Sequence, residues 1–209
     1  MTEASSGSLH VLVLAAGASV RLGQPKQLVR VAGRPALHSV VSQATAIAGH
    51  AVTVVLGAHA AKLTRLLQHS GVSLVVNRNW EEGMASSIRF GVAALPPACD
   101  AVLIQLGDQV AVTVDDLRRL VSAWRGEDGV IAAASYRGTV GVPAIFPRWC
   151  FSELMQLRGD TGAKTILERY RDRLAHVAIP NAALDLDTAE DLARLQRSFG
   201  PQAANDDSA

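Results

Sequence analysis

The chain has 209 residues, enough to bury a sizeable core within one domain. Hydrophobic residues make up 49% but aromatic ones only 4%, so that core must be built from Ala, Val, Leu and Ile, the residues of strands covered on both faces. A formal net charge of +1, from 20 basic and 19 acidic side chains, excludes the electrostatic footprint of a nucleic-acid or anionic-membrane binder. Any anionic ligand must be held locally, by a loop and a few placed cations.

In chain order, the first apolar run is Leu9–Leu14, and it ends in Ala-Ala-Gly. The stretch from Leu9 to Ala16 is too short for a membrane span, and the preceding segment has no Lys or Arg, so a cytoplasmic location is expected. Pro35 to Ala48 has helical spacing, with Leu37, Val40, Val41, Ala44 and Ile47 on one face. Val52–Leu56, Val72–Val76, Ala101–Leu106 and Gly129–Ala134 read as buried strands. Helical segments separate them at Ala60–His69, Met84–Leu95 and from Thr113, where Asp116 completes a capping box. This alternation predicts an α/β fold, a single Rossmann-like domain with a mostly parallel sheet and helices on both faces.

Later the alternation loosens, which predicts an antiparallel element. Val140–Phe146 reads as a strand whose proline suits an edge or a strand end. Trp149–Leu157 and Thr161–Arg171 read as helices, Ala175–Ile179 as a strand. Thr188, with Asp191, caps a last helix to about Arg197. The domain is expected to span residues 1–199, and the polar tail 200–209 to be disordered. Cys99, Cys150 and the six histidines show no metal-ligand spacing and read as structural.

The segment Leu14 to Leu28, LAAGASVRLGQPKQL, follows the first strand and therefore lies at the carboxyl edge of the sheet, where open α/β folds bind ligands. Small residues there let backbone N–H groups approach phosphate oxygens, and Arg21 and Lys26 add positive charge. Glycines at 17 and 23 alone rule out a G-x-G-x-x-G dinucleotide loop, and Gln24 and Pro25 between Gly23 and Lys26 rule out a Walker loop. A nicotinamide-dependent oxidoreductase is disfavoured on this spacing. Two acids distant in sequence, Asp108 in LIQLGDQV and Asp187 in ALDLDTAEDL, offer the oxygen ligands that Mg2+ prefers. Asp185 would share a side with Asp187 on an extended segment.

The loop resembles L-A-A-G-x-S-x-R-x-G-x-x-K, the signature of the MobA-like NTP transferases, with eight fixed positions matched in a 13-residue window. LIQLGDQV and LDLDTAEDL also resemble segments of that family, and NRNWEEGMASSIRFG, YRGTVGVPAIF and LRGDTGAKTIL are similar to its molybdenum cofactor cytidylyltransferase (MocA-like) branch. Val110 and Ala189 stand where prolines are usual in the family. The resemblance implies that Leu14, Ala15, Ala16, Gly17, Ala18, Ser19 and Lys26 wrap a triphosphate. Arg21 and Lys26 would neutralise its charge. Gly83 and Ser87 would contact the base, and Asp108 and Asp187 would hold Mg2+. Gly141, Pro143, Gly159, Asp160 and Gly162 would lie on the acceptor side.

The activity so implied is transfer of a nucleoside monophosphate, CTP being the favoured donor, to a molybdopterin-type acceptor with release of pyrophosphate. A molybdenum hydroxylase or its maturation factor is then a possible partner; nucleic acid and membrane are not. The alternatives are a GTP donor, a sugar or alditol phosphate acceptor, or a noncatalytic carrier of the cofactor.

Overall fold

The computed structural model describes residues 7–19, 22–126, 129–184, 186 and 188–199. Strand β1 (Leu9–Ala15) is followed by a small hairpin, β2 (Arg30–Val31) and β3 (Arg34–Pro35), and by helix α1 (Ala36–Ala48). Next come β4 (Val52–Leu56), α2 (Ala60–Leu67), β5 (Ser73–Val76), α3 (Met84–Ala93), β6 (Ala101–Leu106) and α4 (Val114–Gly126). The rest of the chain supplies β7 (Ile131–Tyr136), β8 (Thr139–Pro147), α5 (Phe151–Leu154), α6 (Lys164–Arg169), β9 (Leu174–Ala178) and α7 (Ala189–Phe199).

Seven strands form one sheet in the order β5-β4-β1-β6-β8-β7-β9. β1 is parallel to both β4 and β6, and all residues of β4 are buried, as strands covered on both faces should be. One apolar cluster joins side chains of α1, α2, α4 and α7 to one face of the sheet; the other joins those of α3, α5 and α6 to the opposite face. The expected mostly parallel, two-sided α/β architecture is therefore present.

The chain moves from β1 outward through β4 to β5, then returns to place β6 on the other side of β1. Their carboxyl ends part at this switch point, with Leu14 opposite Leu106 and the Gly107 N–H donating to the Leu14 carbonyl at 2.8 Å. Helix α3 reaches the same edge because Gly91 lets it lie against β1: a Cβ there would stand 2.5 Å from Leu12 Cδ2. No helix among the described residues is long and apolar enough to cross a membrane.

Two expectations need correction. The strand bearing Pro143 is not at an edge: β8 lies between β6 and β7, antiparallel to both. The proline is tolerated because pairing with β7 jumps from Ala133↔Ala144 to Ala134↔Gly141, so that a bulge takes up Val142 and Pro143. β7 runs in the same direction as β6, as the alternation predicts, but is separated from it by β8, the antiparallel element expected late in the chain. The helices after β8 are also shorter than their periodicity implies. Residues 159–160 are instead drawn to the start of α3, where the Gly159 carbonyl accepts the Ala85 N–H at 3.2 Å.

Capping is as read from the sequence. Asp116 accepts from the Thr113 N–H and hydroxyl at 2.9 and 2.8 Å, and Asp191 does the same for Thr188 at 3.0 and 2.7 Å.

Candidate active site

A cavity of about 390 Å³ opens at the switch point. Leu14, Ala15, Ala16, Gly17, Ala18 and Lys26 form one wall, continuing from β1. Asp108 forms a second, just beyond β6. Gly83 and Ser87, from the start of α3, and Asp160 form a third. Residues far apart in sequence are thus brought to a single space. Gly17 has nothing within 4 Å of where a Cβ would stand, so its backbone faces open volume.

Ser19 is not part of the lining; it folds the loop. With φ at 59°, in the left-handed region, it turns the chain so that its hydroxyl donates to Gln27 Oε1 at 3.3 Å and accepts the Lys26 N–H at 3.1 Å. Gln27, buried, completes the closure by donating from Nε2 to the Gly17 carbonyl at 3.1 Å. The outer side is held by β4. The Ala58 N–H donates to the Ala16 carbonyl at 3.0 Å, and His59 Nε2 donates to the Ala18 carbonyl at 3.1 Å. Gly57 makes this approach possible, since a Cβ there would lie 2.5 Å from the Ala16 oxygen and 2.8 Å from Trp80 Cβ.

The loop's cation is directed inward. Lys26 Nζ forms an ion pair with Asp108 Oδ2, and Asp108 is only 4% exposed. The segment that carries this carboxylate is heavily braced. Gln109, 1% exposed, accepts the Leu106 N–H at 3.2 Å and donates to the Val142 and Ala182 carbonyls at 2.9 and 3.4 Å. It therefore ties the end of β6 to β8 and to the turn that precedes the segment of Asp187. Val110, where the family has proline, donates its N–H to the Asp108 carbonyl at 2.9 Å, and its own carbonyl accepts from Gln43 at 3.3 Å. A proline could not make the first of these bonds.

At α3, the N-terminal donors are engaged by protein. Asp160 Oδ1 stands 3.5 Å from the Met84 N–H, and a Cβ on Gly83 (φ 100°) would come within 2.6 Å of the Gly159 oxygen. Gly159 and Asp160 thus close the helix start, and Asp160 lines the same cavity as the 14–18 loop. Ser87 accepts from Asn77 Nδ2 at 3.2 Å at the cavity wall. Gly141 and Gly162 line a smaller, adjoining cavity, and Pro143 is buried at the bulge of β8. Arg21, Asp185 and Asp187 lie outside the described residues.

Sequence reasoning missed Gln27, Gln109, Gly57 and the cavity-lining Trp80. The usable signal for the two glutamines was a long polar side chain set directly beside a small-residue turn. His10 was read as structural, and it is: it is buried, with Nε2 2.9 Å from Thr53 Oγ1, and burial lowers its pKa below the usual 6.5. Burial likewise pushes the Cys150 thiol up to about 12. Among the described residues, no group of three or more His, Cys, Asp or Glu is placed to hold a metal ion. A broader groove of about 820 Å³, between the β7–β8 turn and residues 168–180, contains none of the expected site residues.

Several known proteins are similar to this chain in sequence or in architecture. Nicotine blue oxidoreductase of Paenarthrobacter nicotinovorans is 29% identical over 195 residues, covering 88% of this chain and 94% of that protein. The 2-C-methyl-D-erythritol 4-phosphate cytidylyltransferase of a Synechocystis species is 31% identical over 142 residues, 64% of this chain and 60% of that one. The crystal structure of Rv0371c from Mycobacterium tuberculosis H37Rv superposes with a TM-score of 0.80 at 30% identity, covering 92% of this chain and all of that one. Its complex with manganese gives 0.76 at 28%, covering 91% and 99%. The sequence profile of the MobA-like NTP transferase domain matches residues 11–175, which contain the small-residue loop, Lys26, Asp108 and the whole described cavity, and the chain belongs to this family.

Proposed function

We propose that this protein transfers CMP from CTP to a molybdopterin-type acceptor, releasing pyrophosphate, in the cytoplasm. The observation that carries the reading is the Lys26–Asp108 pair inside a cavity walled by the backbone of residues 14–18. It supports the reading because an ammonium and a buried carboxylate are the charges that a triphosphate and its metal would use.

The residues fit a magnesium ion. Magnesium takes one or two carboxylates together with phosphate and water oxygens. Asp108 presents a carboxylate to the cavity, and the position beside it already accommodates a positive group, the Lys26 ammonium. Asp108 would hold the ion, with Asp187 as the family resemblance implies. When bound, it spreads the charge developing on the α-phosphate. The manganese complex of Rv0371c, a relative, is in keeping with a divalent ion.

The chain's own groups would then do the following. Lys26 moves from Asp108 onto the triphosphate, alongside Arg21. Backbone of the 14–18 loop closes on the phosphates. Trp80, Gly83 and Ser87 bound the space for the base, with the indole as a flat wall. An acceptor phosphate oxygen attacks the α-phosphorus, the bond to the bridging oxygen breaks, and that electron pair departs with pyrophosphate. The attacking oxygen is already ionised, so positioning and charge neutralisation suffice. Handover of the product to a molybdenum hydroxylase or its maturation factor belongs to the same reading. A noncatalytic carrier would have no use for Asp108.

CTP is favoured by the motif resemblance and by the cytidylyltransferase relative; GTP, or a sugar or alditol phosphate acceptor, is the nearest alternative. The relative named as a nicotine blue oxidoreductase supports a second reading, an oxidoreductase, for which the nicotinamide cofactors are the reductants to test. Pyrophosphate release over the four NTPs, with and without molybdopterin, separates these when run beside NADH and NADPH oxidation. The account expects release with CTP and acceptor together. Nicotinamide oxidation without pyrophosphate release would replace it with the second reading.

A further inference from the structure

One polar pair interrupts the aliphatic layer between β6 and α1. Gln105 lies opposite Val13 of β1 and on the same face of β6 as Leu103, so its side chain points at α1. It is fully buried. Its Nε2 donates to Gln43 Oε1 at 3.4 Å, and Gln43 Nε2 donates to the Val110 carbonyl at 3.3 Å. Gln105 Oε1 has no hydrogen-bond partner, alone among the buried side-chain nitrogens and oxygens of the described residues. Turning the amides over brings no relief, because every exchange sets acceptor against acceptor along this chain of bonds.

A buried acceptor without a donor costs stability, and a leucine would fill the same space without that cost. Packing therefore gives no reason for a glutamine at 105. The other end of the chain of bonds does. Val110 stands two residues beyond Asp108, and its N–H donates to the Asp108 carbonyl at 2.9 Å. On the near side of Asp108, α1 lies against the same loop again: a Cβ at Gly107 would stand 3.1 Å from Leu37 Cδ1. Helix α1 thus holds the loop on both sides of the carboxylate, by contact at 107 and by a hydrogen bond at 110. The proline usual in the family at 110 would stiffen this turn through its fixed φ. Valine does not.

We propose that the Gln105–Gln43 pair is a positioning device for Asp108. Gln105 fixes the side chain of Gln43, which anchors the Val110 carbonyl and so holds the carboxylate in place where the chain lacks that proline. Neither glutamine lines the nucleotide cavity. This deepens the transferase reading and rests on it, since the placement of Asp108 matters through the ion it would hold.

The test compares Gln43→Leu with the Gln43→Leu/Gln105→Leu double variant in the full-length protein. Gln43→Leu alone strands the whole Gln105 amide in the core and should melt well below wild type. The double variant removes both partners and is expected to melt within about 3 °C of wild type, or above it. Loop order should not return with stability. The Gln109, Val110 and Val112 amides each donate to a carbonyl between residues 106 and 109. Their hydrogen exchange in the double variant should be faster than in wild type by at least about tenfold. The kcat for pyrophosphate release should fall by at least about tenfold, with KM for NTP little changed because Lys26 and the 14–18 loop are untouched. A double variant that stays as unstable as Gln43→Leu would make the pair a packing feature. One that melts like wild type, with exchange and kcat within about twofold of it, would remove any role in placing Asp108. Either outcome overturns the proposal. The exchange measurement needs no nucleotide, so it still decides the matter if wild type releases no pyrophosphate, a result that would sink the transferase reading instead.

Discussion

The Lys26 ammonium rests on the Asp108 carboxylate at the point where β1 and β6 part, joining the small-residue loop to the loop after β6. Without nucleotide, each charge is neutralised by the other. A carboxylate this buried would be costly to leave unpaired, so whatever draws Lys26 away must also supply a cation to Asp108. Nucleotide and metal are therefore expected to bind cooperatively.

Lys26→Ala should act in opposite directions on the two ligands. The apparent KM for NTP rises by about tenfold or more, the loss of one charge-assisted contact. Manganese binding to the nucleotide-free protein, read by electron paramagnetic resonance, should tighten because the competing ammonium is gone. An unchanged KM would exclude Lys26 from the phosphate site.

Gln109→Leu removes three hydrogen bonds at once, leaving the Leu106 N–H and the Val142 and Ala182 carbonyls without this partner. The expected cost is about 2–3 kcal/mol, and a fall in Tm of roughly 4–12 °C follows for a chain of this size. Activity should fall further than stability explains, because the Asp108 segment loses its brace. Melting curves and turnover at a temperature where the variant is folded check both.

Gly57→Ala touches no ligand, yet its methyl group would be driven against the Ala16 carbonyl. The phosphate-facing loop must then shift. NTP affinity, measured by isothermal titration calorimetry, should weaken while the protein stays folded.

His10 gives the pH dependence of stability. Burial lowers its pKa in the folded state below 6.5, so the unfolded chain takes up the proton first as pH falls. Its contribution is fully present above about pH 6.5 and is lost as pH falls towards the depressed folded value. Thermal melts between about pH 7.5 and pH 5 should show a falling Tm, and His10→Gln should flatten that fall. Equal slopes for both proteins would assign the effect to other groups.

Much of this was legible from the residues. Strand positions follow from short β-branched runs, and the paired Thr–Asp caps of α4 and α7 from local chemistry alone. The loop at 14–26 was legible because its chemistry is contiguous. Strand order was not, because the apolar run of β8 says that it is buried but not between which neighbours. Pro143 pointed to an edge, and only the bulge against β7 reconciles it with an interior position. The turn at 159–160 looked like the entry to its own helix; its partner is the start of α3, a long-range contact that no local pattern encodes. Gln109 was overlooked for the same reason, since its Val142 and Ala182 partners lie far along the chain.

The central claim is that the loop of residues 14–26 and Asp108 serve one triphosphate–metal site. Its most direct test is pyrophosphate release from CTP with acceptor by Asp108→Asn, which keeps the side chain's shape and removes its charge. The account predicts a loss of roughly a thousandfold or more, several kcal/mol of transition-state stabilisation, in a protein that melts as a folded domain. Turnover within a few-fold of wild type would contradict it.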